Sequence, residues 1–483
     1  MALKTAQTKY GILRGIPSKN PAYTTFLGVP FAKPPVGELR FSHPQEPEGW
    51  EGELLCDHFT PPCIQGIWVG ERIEMSEDCL YLNIFTPAEA PGEKLPVMFW
   101  IHGGGFTGGR ADEEGYKSET CNGLGAILVT VNYRCNVLGF FNLPELQEKE
   151  GYGGNLGLLD QIAALKWIKE NIEAFGGDPE RVMIYGQSAG GVSVRMLLAS
   201  PLARGLFSRA VVESGGGLNE ADLVRPKEEF TQMCQESLSQ LGWTFEDVMT
   251  RDAEEVNDSL NEAVKKVMKI WEVGYFQPYV DEYTLMDVPG KSIWAGDYMD
   301  IPVMCGTVAG DSWMFTRKVR EELGDRVNCF RGFAIAAGEA WARHQIHTGR
   351  TPIYTFFMDR EQPPTHQETL YRHGAPVFGA RTPHCSEIAY IFGSLDMMGK
   401  PYPEYDYALS DAMARYWVNF AKTGNPNGEG LKEWPLYTEE TPYAMHFGNE
   451  GYGAENIILT EEERRAVDYT ESHPGMLESL EGF

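Results

Sequence analysis

No run of about 18 apolar residues, no Cys-x-x-Cys, no paired Cys/His spacing and no Pro-, Ser- or Gln-rich tract occurs in this chain. Each absence removes a class. Without a long apolar run, no single helix is expected to span a bilayer. Without a zinc-like spacing, no metal is expected, and no other cofactor is implied. Without low-complexity tracts or repeats, nothing divides the 483 residues into linked modules. Basic residues are also scarce, with 41 Lys and Arg against 69 Asp and Glu, a formal charge of −28. A surface so acidic is repelled by phosphate backbones and anionic lipid, so neither nucleic acid nor membrane is expected as a partner. Met1 to Thr5 carry no apolar signal core. A cytoplasmic protein is expected, secreted only if a leader has been removed. Nine cysteines, an odd number scattered from Cys56 to Cys385, fit reduced thiols better than a disulfide framework.

What remains is ample for a large core, at 42% hydrophobic and 12% aromatic residues. Residues 95–102 (LPVMFWIH) and 125–133 (GAILVTVNY) are apolar runs bounded by glycine-rich turns, and read as buried strands of a largely parallel sheet. Residues 158–175 have helical periodicity and stop at Gly176 and Gly177. Further strands are predicted at 182–185, 209–213, 301–307 and 352–358, and a packing helix at 405–422. The order is that of an α/β fold: a large, mostly parallel, twisted sheet flanked by helices. From about 220 to 295 a charged, helix-favouring stretch predicts a cap-like excursion within one domain over residues 1–483.

The chemistry concentrates at Gly186, Gln187, Ser188, Ala189 and Gly190, between a short strand and a helix. A G-x-S-x-G turn in that context lifts the serine hydroxyl clear of the sheet. The pentapeptide alone is weak evidence, since 53 glycines and 19 serines give about a quarter of a match by chance. Context supplies the rest. Residues 102–106 (HGGGF) follow the strand 95–101, where three glycines let amide N–H groups converge on one point. Gly104, Gly105 and Ala189 are therefore the candidate oxyanion donors. A serine nucleophile needs a base and an orienting acid, which follow it in this fold on loops after late strands. Position nominates Asp311 and His384, with Asp300 and Glu387 weaker as acids. His344 and His347 lie before the strand 352–358, whereas His366 and His373 follow it and stay open as bases.

At full length the chain resembles the type-B carboxylesterases, the cholinesterase-like α/β-hydrolases. The resemblance is carried by FLGVPFAKPPVGELRF at 26–41, SEDCLYLNIFTP at 76–87, HGGGF, NYRCNVLGF at 132–140, GNLGLLDQ at 154–161, GQSAGG and WVNFAKTGNPN at 417–427. It implies an α/β-hydrolase fold and hydrolysis of a small-molecule ester through Ser188. It also matches the catalytic histidine to His384 in HCSEIAYIF, and Ser214 in ESG to a serine supporting the triad near that histidine. Three departures stand out. Asp311 occupies a position where the family usually has Glu; the 73 positions from Asp311 to His384 are few for the family; and Gln187 stands where cholinesterases have Glu. Cys63 and Cys79 match the family's first disulfide, and the sequence leaves open whether they are bridged or, in a cytoplasm, reduced. Phe106, Phe141, Trp313, Phe315 and Phe378 flank motifs and are candidate pocket walls. Two alternatives accompany the esterase reading: a plant cell-wall esterase acting on feruloyl or acetyl groups, and a non-catalytic binding protein on the same fold.

Overall fold

The computed structural model describes residues 2–66, 73–151, 154–218, 224–268, 276–311, 330–351, 353–363, 382–456 and 461–472. Among them are β1 (Thr5–Gln7), β2 (Ile12–Arg14), β3 (Ile16–Pro17), β4 (Thr24–Pro30), β5 (Glu53–Leu55), β6 (Tyr81–Thr86), β7 (Leu95–Ile101), β8 (Ile127–Val131), β9 (Gly177–Gln187), β10 (Arg209–Glu213), β11 (Val303–Val308), β12 (Tyr354–Met358), β13 (Tyr443–Phe447) and β14 (Tyr452–Asn456). Eleven form one sheet in the order β14-β13-β12-β11-β10-β9-β7-β8-β6-β4-β3, and β1, β2 and β5 form a separate small sheet. The six pairings from β8 across to β13 are parallel. Both margins are antiparallel.

Strand alternation sorts the core into two layers, because successive side chains point to opposite faces. Val97, Phe99 and Ile101 join Val129, Ile184 and Val212 in one cluster, with Leu165 and Ile168 of helix Leu156–Asn171 and Leu197 of helix Ala189–Ala199. Met98 and Trp100 join Leu128, Tyr185 and Val211 in the other, with Met413, Trp417 and Phe420 of helix Glu404–Thr423. Helices on both faces explain why β7 and β8 read as continuous apolar runs rather than alternating ones. Trp100 anchors the second layer, its ring 5.1 Å from Tyr116, 4.8 Å from Tyr185 and 5.0 Å from Phe392.

The predicted strands lie within one or two residues of those found, except that β9 begins at Gly177, well before residue 182. The strand at 352–358 is not the last, since β13 and β14 extend the sheet beyond β12. Residues 220–295 hold helices Lys227–Leu241, Phe245–Thr250, Ala253–Met268 and Pro289–Ala295. In the third, Val256, Leu260, Ala263 and Val264 are buried at helical spacing, so one stripe faces the core while the charged face stays wet. Arg40 ties this region to the N-terminal segment: it is bidentate to Glu77 at 2.6 and 2.7 Å and donates to the carbonyls of Val248 and Arg251. No helix among the described residues is long and apolar enough to cross a membrane.

One buried ion pair locks the loop after β8 to the helix before the elbow. Arg134 Nε and Nη2 donate to Asp160 at 2.9 and 2.8 Å, its backbone amide donates to the same carboxylate at 3.0 Å, and its Nη1 donates to Ser42 O. Neither side chain is exposed by more than 2%. Removing Asp160 leaves a fully desolvated guanidinium, so Asp160→Ala is expected to lower unfolding free energy by about 3–5 kcal/mol, read from the denaturant midpoint. A loss below about 1 kcal/mol would show that Arg134 finds another partner.

Candidate active site

β9 ends at Gln187, and the chain passes through Ser188 at φ 57°, ψ −128° into helix Ala189–Ala199. Such backbone geometry costs about 1–3 kcal/mol for a residue with a β-carbon, so something must hold it. Two bonds do: the Ser188 amide donates to Glu213 O at 2.9 Å, and Ser188 O accepts from the Val192 amide at 2.8 Å. The turn also requires glycine behind the serine. A β-carbon at 190 would strike the carbonyl of Ile101 at the end of β7.

The glycine loop sits directly beside the elbow. Ile101 pairs with Gly186 across β7 and β9, so residues 102–106 emerge next to Ser188. Gly104 has φ 115° and Gly105 φ 60°, and a β-carbon on Gly104 would overlap Gly108 O. The Gly104 carbonyl is taken by the Thr107 and Gly108 amides at 3.1 and 3.2 Å. No hydrogen bond among the described residues takes up the amides of Gly104, Gly105 or Ala189. His102 is a packing residue: stacked on Tyr133 at 4.3 Å, it is pushed down to about 4 by burial and stays neutral.

Asp311, fully buried, lies three residues past β11, and His384 comes from the far side of the β12 crossover. Asp311 Oδ1 meets His384 Nδ1 at 2.6 Å, while Asp311 Oδ2 accepts the Val308 amide at 3.0 Å. With Nδ1–H given to the carboxylate, Nε2 carries the lone pair, which is the tautomer a general base needs. Burial alone would push the imidazole down, but the adjoining Cys385 sulfur and the Asp311 carboxylate hold it well above the ordinary histidine value.

Around this pair the structure adds contacts that motif reading did not supply. Gln187 Nε2 lies 3.3 Å from both ring nitrogens of His384, and Gln187 Oε1 accepts from Cys385 Sγ at 3.1 Å. Ser214, expected as a partner near His384, donates to Glu387 Oε1 at 3.1 Å, on the same loop as the histidine. Burial, then the neighbouring Asp311 charge, push Glu387 up to about 7. Glu213 accepts from Trp417 Nε1 at 2.8 Å and is likewise raised, first by burial and then by Glu387.

The other candidates fall as follows. His344 and His347 sit on helix Phe330–His347 before β12, and Asp300 accepts the Thr351 amide. His366, His373, Trp313, Phe315 and Phe378 lie outside the described residues. Phe106 and Phe141 are core side chains, the first against Phe140 and the second against Phe41 and Phe276. Cys63 and Cys79 are buried free thiols, and the neighbouring Cys63 together with burial pushes the Cys79 thiol well up. Among the described residues no group of three His, Cys, Asp or Glu is placed to hold a metal ion.

Comparison with known proteins places this geometry in context. The sequence model of the Carboxylesterase family matches residues 2–329 and 321–465. Para-nitrobenzyl esterase of Bacillus subtilis (strain 168) is 34% identical over 475 residues, covering 91% of this chain and 94% of that protein. The medium-chain fatty acyl-CoA hydrolase precursor of Anas platyrhynchos is 32% identical over 501 residues, covering 90% and 87%. Among solved structures, a PNB esterase superposes with a TM-score of 0.78 at 31% identity, covering 96% of this chain and 99% of that one. A Geobacillus stearothermophilus carboxylesterase does so with a TM-score of 0.75 at 31% identity, covering 96% and 100%. Sheet, elbow and near full-length similarity agree: the chain belongs to the carboxylesterase family and is a carboxylic ester hydrolase on an α/β-hydrolase fold.

Proposed function

We propose that Ser188 is the nucleophile of this esterase, His384 its general base and acid, and Asp311 the carboxylate that orients the imidazole. The Gly104, Gly105 and Ala189 amides then receive the oxyanion. The observation that carries this reading is the 2.6 Å contact between Asp311 and His384, which joins the two crossover loops beside the elbow. In the first half-reaction the Ser188 proton moves to His384 Nε2 as Oγ bonds to the carbonyl carbon, and the carbonyl electron pair collects on oxygen. Its collapse expels the alcohol, which takes the proton back from the imidazolium. Water repeats the sequence on the acyl-enzyme and releases the acid. Asp311 is one methylene shorter than glutamate, and its second oxygen is fixed by the Val308 amide, so its position is set by the β11 turn itself. Ser214 is assigned to steadying the histidine loop through Glu387.

Helices Lys227–Leu241 and Ala253–Met268 are assigned to a cover over the sheet's C-terminal edge, within one domain over residues 1–483. The acidic surface supports neutral small-molecule esters as substrates rather than nucleic acid or anionic membranes. The free, buried thiols support a cytoplasmic setting. The carboxylesterase relatives favour simple esters over a cell-wall polysaccharide, and the pairing of acid and histidine argues against a non-catalytic role.

Three outcomes test the assignment. Ser188→Ala is expected to reduce kcat for a p-nitrophenyl ester by about 10⁴–10⁶, and wild-type turnover would remove it from the nucleophile role. Asp311→Asn is expected to lower kcat by about 10³–10⁴ through loss of the correct tautomer, and full activity would move the acid elsewhere. Because the base must be neutral and its pKa is raised, kcat/KM should be lost as pH falls through a point above the ordinary histidine value of about 6.5. An acid limb below that value would contradict the environment assigned to His384.

A further inference from the structure

Gln187 sits where the oriented imidazole could be held from a third direction. Its side chain is buried, and its Nε2 is equidistant, at 3.3 Å, from both ring nitrogens of His384. Equal distances place the amide over the ring face, since an approach in the ring plane would drive it into the carbon between the two nitrogens. Gln187 Oε1 accepts the Cys385 S–H at 3.1 Å. A thiol donates to the carbonyl end of a carboxamide and not to its NH₂ end, so this contact decides which end faces the ring. Cys385 itself has φ 73°, a conformation that glycine adopts freely and a residue with a β-carbon adopts under strain. The chain carries a side chain there against the backbone preference, and that side chain reaches Gln187 and His384.

We propose that Gln187 is a positioning residue for His384, locked by the Cys385 thiol, so that the imidazole is clamped between Asp311 at its Nδ1 edge and a neutral carboxamide over its face. The proposal rests on the assignment of Ser188 and His384 made above. Its charge matters as much as its shape. Among the described residues, the charged group at the ring is the Asp311 carboxylate at Nδ1, and the titratable groups beside it are the Cys385 thiol and the buried Glu387 carboxyl. A second full carboxylate against the face would hold the imidazolium proton more tightly and narrow the pH range in which the base is free. A carboxamide supplies contact without that charge.

The test is a set of full-length variants, Gln187→Glu, Cys385→Gly and Cys385→Ser, with Ser188→Ala as the blank. For each, kcat and KM are measured from roughly pH 5 to 9, together with Tm. Gln187→Glu should move the acid limb of kcat/KM upward by about one pH unit. Cys385→Gly relieves the strained φ and should keep or raise Tm, yet frees the carboxamide and lowers kcat by about 3–10-fold at little changed KM. Cys385→Ser restores an O–H donor and should recover most of that loss. A Gln187→Glu profile superimposable on wild type, wild-type kcat in Cys385→Gly, or no recovery in Cys385→Ser would each overturn the proposal. Loss of activity in Ser188→Ala beside such unchanged profiles overturns the clamp alone. Retained activity in Ser188→Ala overturns the nucleophile and the clamp together.

Discussion

Where β9 meets helix Ala189–Ala199, the backbone turns so closely against the end of β7 that a β-carbon at position 190 would overlap the Ile101 carbonyl. The Ser188 amide is at the same time bonded to the carbonyl of Glu213 at the end of β10. The elbow is thus trapped between two neighbouring strands. Those strands hold their register only because both faces of the sheet are covered by helices and filled by the two core layers. The strain at Ser188, about 1–3 kcal/mol, is small beside the burial of a single β7 side chain such as Trp100 together with its neighbours. The sheet can therefore hold a conformation the serine would not adopt by itself, which is the sense in which the site depends on the fold.

The same alignment gathers everything else. Gln187 pairs with Glu213, and Glu213 with Gly306, so the ends of β7, β9, β10 and β11 form one rim. Each loop leaving that rim brings one part of the proposed site: amides after β7, the serine after β9, Ser214 after β10, Asp311 after β11. Burial then sets the chemistry. Asp311 is fully enclosed and satisfied by His384 and Val308, so its charge is spent on the imidazole rather than on water. Behind it Glu387 and Glu213 have opposite needs: too buried and too near other carboxyls to ionise readily, they are pulled toward the neutral form.

Much of this was legible in the residues, for physical reasons. Central strands such as β7 and β8 announce themselves because a strand covered on both faces must be apolar throughout. The elbow and the HGGG turn are legible because sterics forbid any other residue type at their tightest points. The edges were not. β1, β2 and β5 are three-residue strands with exposed positions, and β13 and β14 carry Tyr443, His446 and Glu455 on a half-wet margin, so neither periodicity nor apolarity marks them. Ser214 was legible as a residue of interest but not in its partner, because Glu387 reaches it from 173 positions away. Gln187 and Cys385 are not legible as a unit for the same reason: 198 positions separate them, and only the fold shows that one thiol faces one carboxamide. The positive φ of Cys385 leaves no trace in the sequence, since a glycine there would have been the readable signal.

The central claim is that this trapped turn presents Ser188 as an activated nucleophile. Covalent labelling with a fluorophosphonate, followed by mass mapping of the modified peptide, addresses it most directly. The account predicts one phosphonyl group per chain, on the Ser188 hydroxyl, with labelling slowed by orders of magnitude when His384 is replaced by Ala. Label on another residue, or none on Ser188 in a folded protein that still hydrolyses esters, would contradict it.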